Sequence, residues 1–329
     1  MDISDDLLGS LFDEKVTPLP TKNPSMLSFD MWCQCSAKNI QRIIRRNRSW
    51  RPLRIYLLKL VIEFCKLANV DPFVYGGTAL AVYRENGRMI KHDSDVDLAV
   101  LERDEKGVGA FTKLLRTCIN HGVSYSGVSG EFPPFCASEE SEITMTFDSR
   151  RTGKTWLHVN NTGVDSISEQ FFYGKDCKIA KFFLSKTGLK KACAMFGKNI
   201  HTLNHLFSDP SPVHVDLFTL SPHSLYPDSH LQVNWDIPGV YDTSKKAFPL
   251  ASILPLRDYT FENVPIRGPA ELESYLKVEY GYLGRDAMFV AEKQLYIKIP
   301  SELQHLIPKH MLNSSDSKDS TPSEIKDDK

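Results

Sequence analysis

Residues 73–101 read FVYGGTALAVYRENGRMIKHDSDVDLAVL, and this stretch decides the fold class. It opens on a short apolar run, Phe73-Val74-Tyr75, turns at Gly76-Gly77-Thr78, and continues into a helical pattern over 78–85. Glycines at such a turn let the backbone come close to a ligand, and the helix start presents free N–H groups to an anion. The stretch closes on Asp93-Ser94-Asp95-Val96-Asp97-Leu98-Ala99-Val100-Leu101. An extended segment alternates its faces, so Val96, Leu98 and Val100 point into a core while Asp95 and Asp97 share the other face, about 7 Å apart at Cα. Two carboxylates at that spacing repel by about 2 kcal/mol at an effective dielectric of about 20. A divalent cation bound by one or two carboxylates together with substrate phosphates removes that cost. The plain structural alternative is an Asp-rich, solvated strand entry.

A third acid stands in Val213-His214-Val215-Asp216-Leu217-Phe218. Val213, Val215 and Leu217 fill one face of a strand and leave Asp216 on the other with His214. An acid flanked by apolar strand residues seldom lies buried without a partner, so Asp216 is either salt-bridged or part of a site. Gly-Gly, Asp-x-Asp and a lone strand Asp together form the constellation expected for metal-dependent phosphoryl or nucleotidyl transfer. The pair hold the metal, the third acid completes the shell or deprotonates the attacking hydroxyl, and the glycine turn cradles phosphate.

The rest of the chain frames this core. Strand-like runs are expected at 73–75, 96–101, 143–147, 179–184 and 213–220, and helices at 78–85, 107–120, 188–196 and 269–279. Leu53, Tyr56, Leu57, Leu60, Val61 and Phe64 recur at helical spacing over 53–68, with Pro52 separating that helix from one around 36–50. Strands and helices intermix, which gives an α+β or α/β class. The expectation is one α+β domain over 36–305, a small mixed sheet flanked by helices. A flexible arm over 1–35 precedes it, and a Ser/Asp/Lys-rich disordered tail over 306–329 follows.

With 329 residues, 41% hydrophobic and 25% charged, the composition is that of an ordinary globular protein. The net charge of −1 argues against a dedicated nucleic-acid binder, so no nucleic acid is expected. No stretch approaches 18 uninterrupted apolar residues, so no transmembrane segment is expected. The first thirty residues lack a basic region followed by an apolar one. That gives a cytoplasmic expectation, with the Golgi lumen as the alternative if an anchor precedes the sequence.

The order Gly-Gly, Asp-hydrophobic-Asp-hydrophobic, then a later hydrophobic-Asp-hydrophobic resembles the nucleotidyltransferase-fold superfamily. More narrowly, GGTALAVYR…KHDSDVDLAV resembles the LicD group, which includes bacterial LicD proteins, fukutin and the fukutin-related protein. In that group GGT precedes a helix ending in Arg, matched by Arg84, and an Asp-x-Asp-x-Asp matched by Asp93, Asp95 and Asp97. VHVDLF resembles the strand carrying the third acid, and residues 254–281, LPLRDYTFENVPIRGPAELESYLKVEYG, resemble the LicD ending. These blocks span about 73–281 in the family's order. His92 stands where an aromatic residue is frequent, and Ser94 where bacterial members often carry a further Asp.

The resemblance implies transfer of a phospho-alcohol group, such as phosphocholine or ribitol phosphate, from a CDP-linked donor to a glycan or glycoconjugate hydroxyl. Asp95 and Asp97 would bind Mg²⁺ or Mn²⁺, with Asp216 as third ligand or general base. Gly76, Gly77 and Thr78 would hold phosphate oxygens, and Arg84 and Lys91 would neutralise charge on the leaving nucleotide. Asp93 is as well read as structural. His92 and His214 lie near enough to serve as acid, base or phosphate hydrogen-bond donor. Two other functions stay open: a nucleotidyltransferase using a nucleoside triphosphate on a small molecule, protein or RNA end, and a catalytically silent binding module.

Two features stand outside this site. Between Lys38 and Lys59 lie eight basic residues and no acid, the pattern of a solvated helix face or of a surface for a membrane or nucleic acid. The seven cysteines are scattered, and Cys33-Gln34-Cys35 suits neither a zinc knuckle nor a redox pair, so reduced and mostly buried thiols are expected.

Overall fold

The computed structural model describes residues 37–91, 93, 95–127, 141–148, 179–199, 203, 206, 212–234, 246–284, 287–290, 293 and 295–302. The expected arm, the expected tail and His92 lie outside the described residues. Residues 42–279 pack as one compact unit, and 280–329 group with residues before 42 in another. Among the described residues of that second unit, Ala287–Val290 and Leu295–Lys298 pair as an antiparallel hairpin.

The long helix α1 runs Ala37–Leu67 and passes straight through Pro52. This corrects the expectation of two helices. Proline has no N–H for the carbonyl four residues before it and costs a helix interior about 3 kcal/mol. Burial of Trp50, Leu53, Leu57, Leu58, Val61 and Phe64 on either side of the proline offsets that loss. After α1 come β1 (Phe73–Val74), α2 (Gly76–Arg84), β2 (Val96–Leu101), α3 (Ala110–Asn120), β3 (Ser124–Gly127) and β4 (Ile143–Asp148). Next are β5 (Ile179–Leu184), α4 (Lys186–Met195), β6 (His214–Pro222), β7 (His230–Val233), β8 (Phe248–Pro249) and the short α5 (Leu250–Ile253). The unit finishes with β9 (Arg257–Phe261), β10 (Val264–Gly268) and α6 (Leu272–Tyr280).

The sheet is mixed, as expected for an α+β chain, but it is not small. Among the described residues ten strands join in it, in the order β3-β4-β5-β6-β2-β1-β10-β9, with β7 paired to β6 and β8 to β7. At its centre β2 and β6 are parallel neighbours, paired from Val96↔Val215 to Leu101↔Leu220. Their inward residues Leu98, Val100, Val215 and Leu217 are buried. On the far side of β6, β5 runs antiparallel and sets Lys181 opposite Asp216 and Phe183 opposite His214.

The β9–β10 hairpin secures the approach to the site. Its two-residue turn, Glu262-Asn263, has φ of 52° and 59°, the left-handed pair of a tight hairpin turn. The nearly buried Glu262 carboxylate accepts from Arg51 Nε of α1 at 2.8 Å and from the Met89 backbone N–H. The Glu262 N–H in turn donates to the Gly87 carbonyl at 2.7 Å. One side chain thus ties α1, the turn after α2 and the hairpin together, just upstream of Asp93.

Candidate active site

Asp97 and Asp216 are register partners on β2 and β6, so the two carboxylates leave the same face of the sheet side by side. One row earlier, His214 Nε2 lies 3.6 Å from Asp216 Oδ1 and 3.9 Å from Asp95 Oδ2. Asp95, His214 and Asp216 can each offer a ligand atom within 4.8 Å of the others. The expected metal set was Asp95, Asp97 and Asp216. The atoms that converge most closely belong to two of these, Asp95 and Asp216, together with His214.

Asp97 is turned toward α2. The Gly77 N–H donates to its Oδ2 at 3.3 Å, and Tyr75 N–H donates to its backbone carbonyl at 3.1 Å. A carboxylate at a helix start meets both a free amide and the positive end of the helix dipole. Only glycine fits there. Gly76 sits at φ +50°, and a Cβ on it would lie 2.9 Å from Asp97 Oδ2. A Cβ on Gly77 would lie 2.6 Å from Asp93 Oδ2. The glycine pair therefore brings backbone against the protein's own carboxylates, Asp93 and Asp97.

Thr78 is buried, and its Oγ1 accepts the Asp97 backbone N–H at 2.9 Å, which fastens α2 to β2. Arg84 stands at the far end of α2, about 12 Å along the axis from Gly76 at 1.5 Å per residue. There its Nε pairs with Glu85 at 3.1 Å. Lys91 is exposed, and its carbonyl accepts from Asn47 Nδ2 at 3.4 Å. The structure thus brings together Asp93, Asp95, Asp97, Asp216, His214 and the glycine turn, and leaves Arg84 outside.

Two cations at the site were not foreseen. Lys181 Nζ lies 2.9 and 2.8 Å from Oδ1 and Oδ2 of Asp216. Arg54, 1% exposed, donates from Nε and Nη2 to the Pro212 carbonyl at 3.0 and 2.9 Å and from Nη1 to the Asp93 carbonyl at 3.4 Å. It thereby joins the lead-ins of β2 and β6. The basic stretch of α1 is therefore not a wholly solvated face: Arg54 belongs to the interior and Arg51 to the Glu262 clamp. Both signals were in the sequence. Arg54 falls on the same helical face as Trp50, Leu57 and Val61, and Lys181 is the one charged residue in the apolar run Ile179–Leu184.

The charges act on one another. Burial pushes the Asp97 carboxyl well above the usual carboxylate range, and the charges of Asp95, Asp216 and Asp93 push it further. The Gly77 amide pulls the other way. Burial lowers the Arg54 guanidinium to about 10, against the pull of Asp95 and Asp93. Such a cluster favours either protonation or a bound cation. Two acids and an imidazole within reach of one another have the donor chemistry for a divalent ion, although adjacent ligands around an octahedral ion of that size stand roughly 3 Å apart, so the group would have to close slightly.

A separate cleft of about 960 Å³ lies at the other end of β2, lined by Val100, Leu101, Arg103, Asp104, Lys113 and Arg267 among others. Two of its cations are paired with carboxylates, Lys113 with Asp104 at 2.7 Å and Arg267 with Asp258 at 3.3 Å. None of the four clustered aspartates lines it.

Compared with protein-family models the chain matches none, and a search of curated proteins finds no significant match.

Proposed function

We propose that this chain is a metal-dependent transferase of nucleotidyltransferase-like fold. It moves a phospho-alcohol group, of phosphocholine or ribitol-phosphate type, from a CDP-linked donor to a hydroxyl of a glycan or glycoconjugate. The observation that carries this reading is the in-register pair Asp97 and Asp216 on adjacent parallel strands, with Asp95 and His214 one row away and the Gly76-Gly77 turn facing them. The LicD resemblance of the same residues supplies the substrate class.

In this reading Asp95, Asp216 and His214 hold Mg²⁺ or Mn²⁺, with Asp97 beside them. The ion's contribution is to neutralise donor diphosphate and polarise the phosphorus. The acceptor hydroxyl oxygen attacks the phosphorus that bears the alcohol. A new P–O bond forms to the acceptor, the P–O bond to the nucleotide breaks, and CMP departs with the bridging oxygen. A carboxylate of the cluster takes the hydroxyl proton, and Asp97, beside the three ligands, is the one assigned that role. The Gly76-Gly77 backbone holds Asp97 in place from the helix side through the Gly77 N–H. Among the described residues no helix is long and apolar enough to cross a membrane. The test is phosphorus NMR of CDP-choline, CDP-ribitol and CTP, each incubated with protein, Mn²⁺ and a glycan acceptor. CMP release from a CDP-alcohol supports the reading; pyrophosphate release from CTP alone would replace it with nucleotidyl transfer.

A further inference from the structure

The site contains a fixed cation of its own, and its position bears on how many metal ions the site can take. The sheet register places Lys181 opposite Asp216 and Asp216 opposite Asp97, so one row across β5, β6 and β2 reads Lys181, Asp216, Asp97. The neighbouring row on β5 and β6 reads Phe183, His214, and His214 Nε2 reaches toward Asp95 at 3.9 Å. In two-metal phosphoryl-transfer sites the ions stand about 3.5–4 Å apart and form a symmetric clamp. Asp216 is placed as a carboxylate between two such positions. Its Oδ1 faces His214 Nε2 at 3.6 Å, on the side of Asp95, while both of its oxygens face Lys181 Nζ within 2.9 Å.

We propose that the Lys181 ammonium occupies the position of a second divalent ion, so that the site binds one ion only, on the Asp95–His214 side of Asp216. The inference rests on the metal-site reading above. Charge balance agrees with it. Asp93, Asp95, Asp97 and Asp216 carry four negative charges when ionised and Arg54 and Lys181 offset two of them; one divalent ion cancels the two that remain, and a second would leave the cluster positive. Packing agrees as well. The lysine side chain is only 20% exposed, and its head lies against both oxygens of the carboxylate. Lys181 is thus a positioning residue: it orients Asp216 without touching the reacting atoms.

The experiment is a titration of the full chain with Mn²⁺ alone at neutral pH, counting bound ions from the electron paramagnetic resonance of the free ion. Wild type, Lys181→Met, Lys181→Gln and Lys181→Arg are compared, with circular dichroism to confirm folding. One ion in wild type and in Lys181→Arg, rising to two in Lys181→Met or Lys181→Gln, is the expected result. Two ions in wild type overturn the proposal without any variant. A count that stays at one in both folded neutral variants also overturns it. No bound Mn²⁺ in wild type removes the metal site itself, and with it the reading on which the proposal stands.

Discussion

The Gly77 N–H points at Oδ2 of Asp97 from 3.3 Å, and the φ of +50° at Gly76 is what allows the backbone to arrive there. The contact joins the helix start to the strand that carries the acids. It gives α2 an anionic cap and holds one carboxylate of a repelling cluster in place. Substitutions at this juncture have opposite consequences depending on which partner is changed.

Gly76→Ala adds a Cβ 2.9 Å from the Asp97 carboxylate in a left-handed backbone conformation. Strain and displacement act together, and a loss of about 1–3 kcal/mol is expected. Chemical denaturation measures it. A midpoint equal to wild type would show that the turn tolerates a side chain and that the close approach has no function.

Asp97→Asn acts in the other direction. The folded-state pKa of Asp97 is raised above its unfolded value, so the folded protein binds the extra proton more tightly. That contribution is present in acid and is lost as pH rises from the ordinary aspartate value, near 3.8, through the raised one. The metal-free variant, which has no such charge to bury, should therefore gain stability relative to wild type as pH rises toward neutrality. Thermal melts of both proteins across that range, in chelator, check the sign. A difference that stays flat or falls would contradict the electrostatic picture of the cluster.

Much of this arrangement could be read from the sequence, and the failures have physical causes. Strands with one apolar face, such as Val96–Leu101 and His214–Pro222, announce themselves through alternation, and the acids on them follow. The β9–β10 hairpin does not, because Glu262-Asn263 is not a usual left-handed turn pair; its carboxylate is held by Arg51 from a helix some two hundred residues away in sequence. The single helix through Pro52 was hidden for a related reason, since packing on both sides outweighs a local breaker. Which acid lies with which partner depends on strand register. Lys181 meets Asp216 only because β5 pairs with β6, a long-range choice that spacing along the chain does not reveal.

Arg54 offers a test of the interior. Its guanidinium bridges the Pro212 and Asp93 carbonyls, and a methionine there would leave both without these donors inside the protein. Arg54→Met should cost about 2–4 kcal/mol. Arg54→Lys should recover little of it, because an ammonium cannot span both carbonyls with a planar fork. Urea denaturation of the two variants settles the matter; a fully stable Arg54→Lys would mean that charge alone, not the bridging geometry, is what the site requires.

On the proposed reading, His214 sets the ion preference of the site. An imidazole among oxygen ligands favours a softer ion than Mg²⁺, so His214→Ala should weaken Mn²⁺ by more than it weakens Mg²⁺. Calorimetric titrations with each ion provide the comparison. Equal losses for both ions would place the histidine outside the coordination sphere.

The most direct measurement is thermal unfolding of wild type and the Asp95→Asn/Asp97→Asn double variant with Mn²⁺, with CDP, with both, and with neither. A ligand at 100 times its Kd adds about 2.7 kcal/mol to the stability of a protein that binds it only when folded. Mn²⁺ plus CDP should raise the midpoint of wild type more than either alone, and the double variant should gain nothing from the pair. Equal midpoints for wild type with and without Mn²⁺ and CDP would contradict the central claim that these strands hold a metal–diphosphate site.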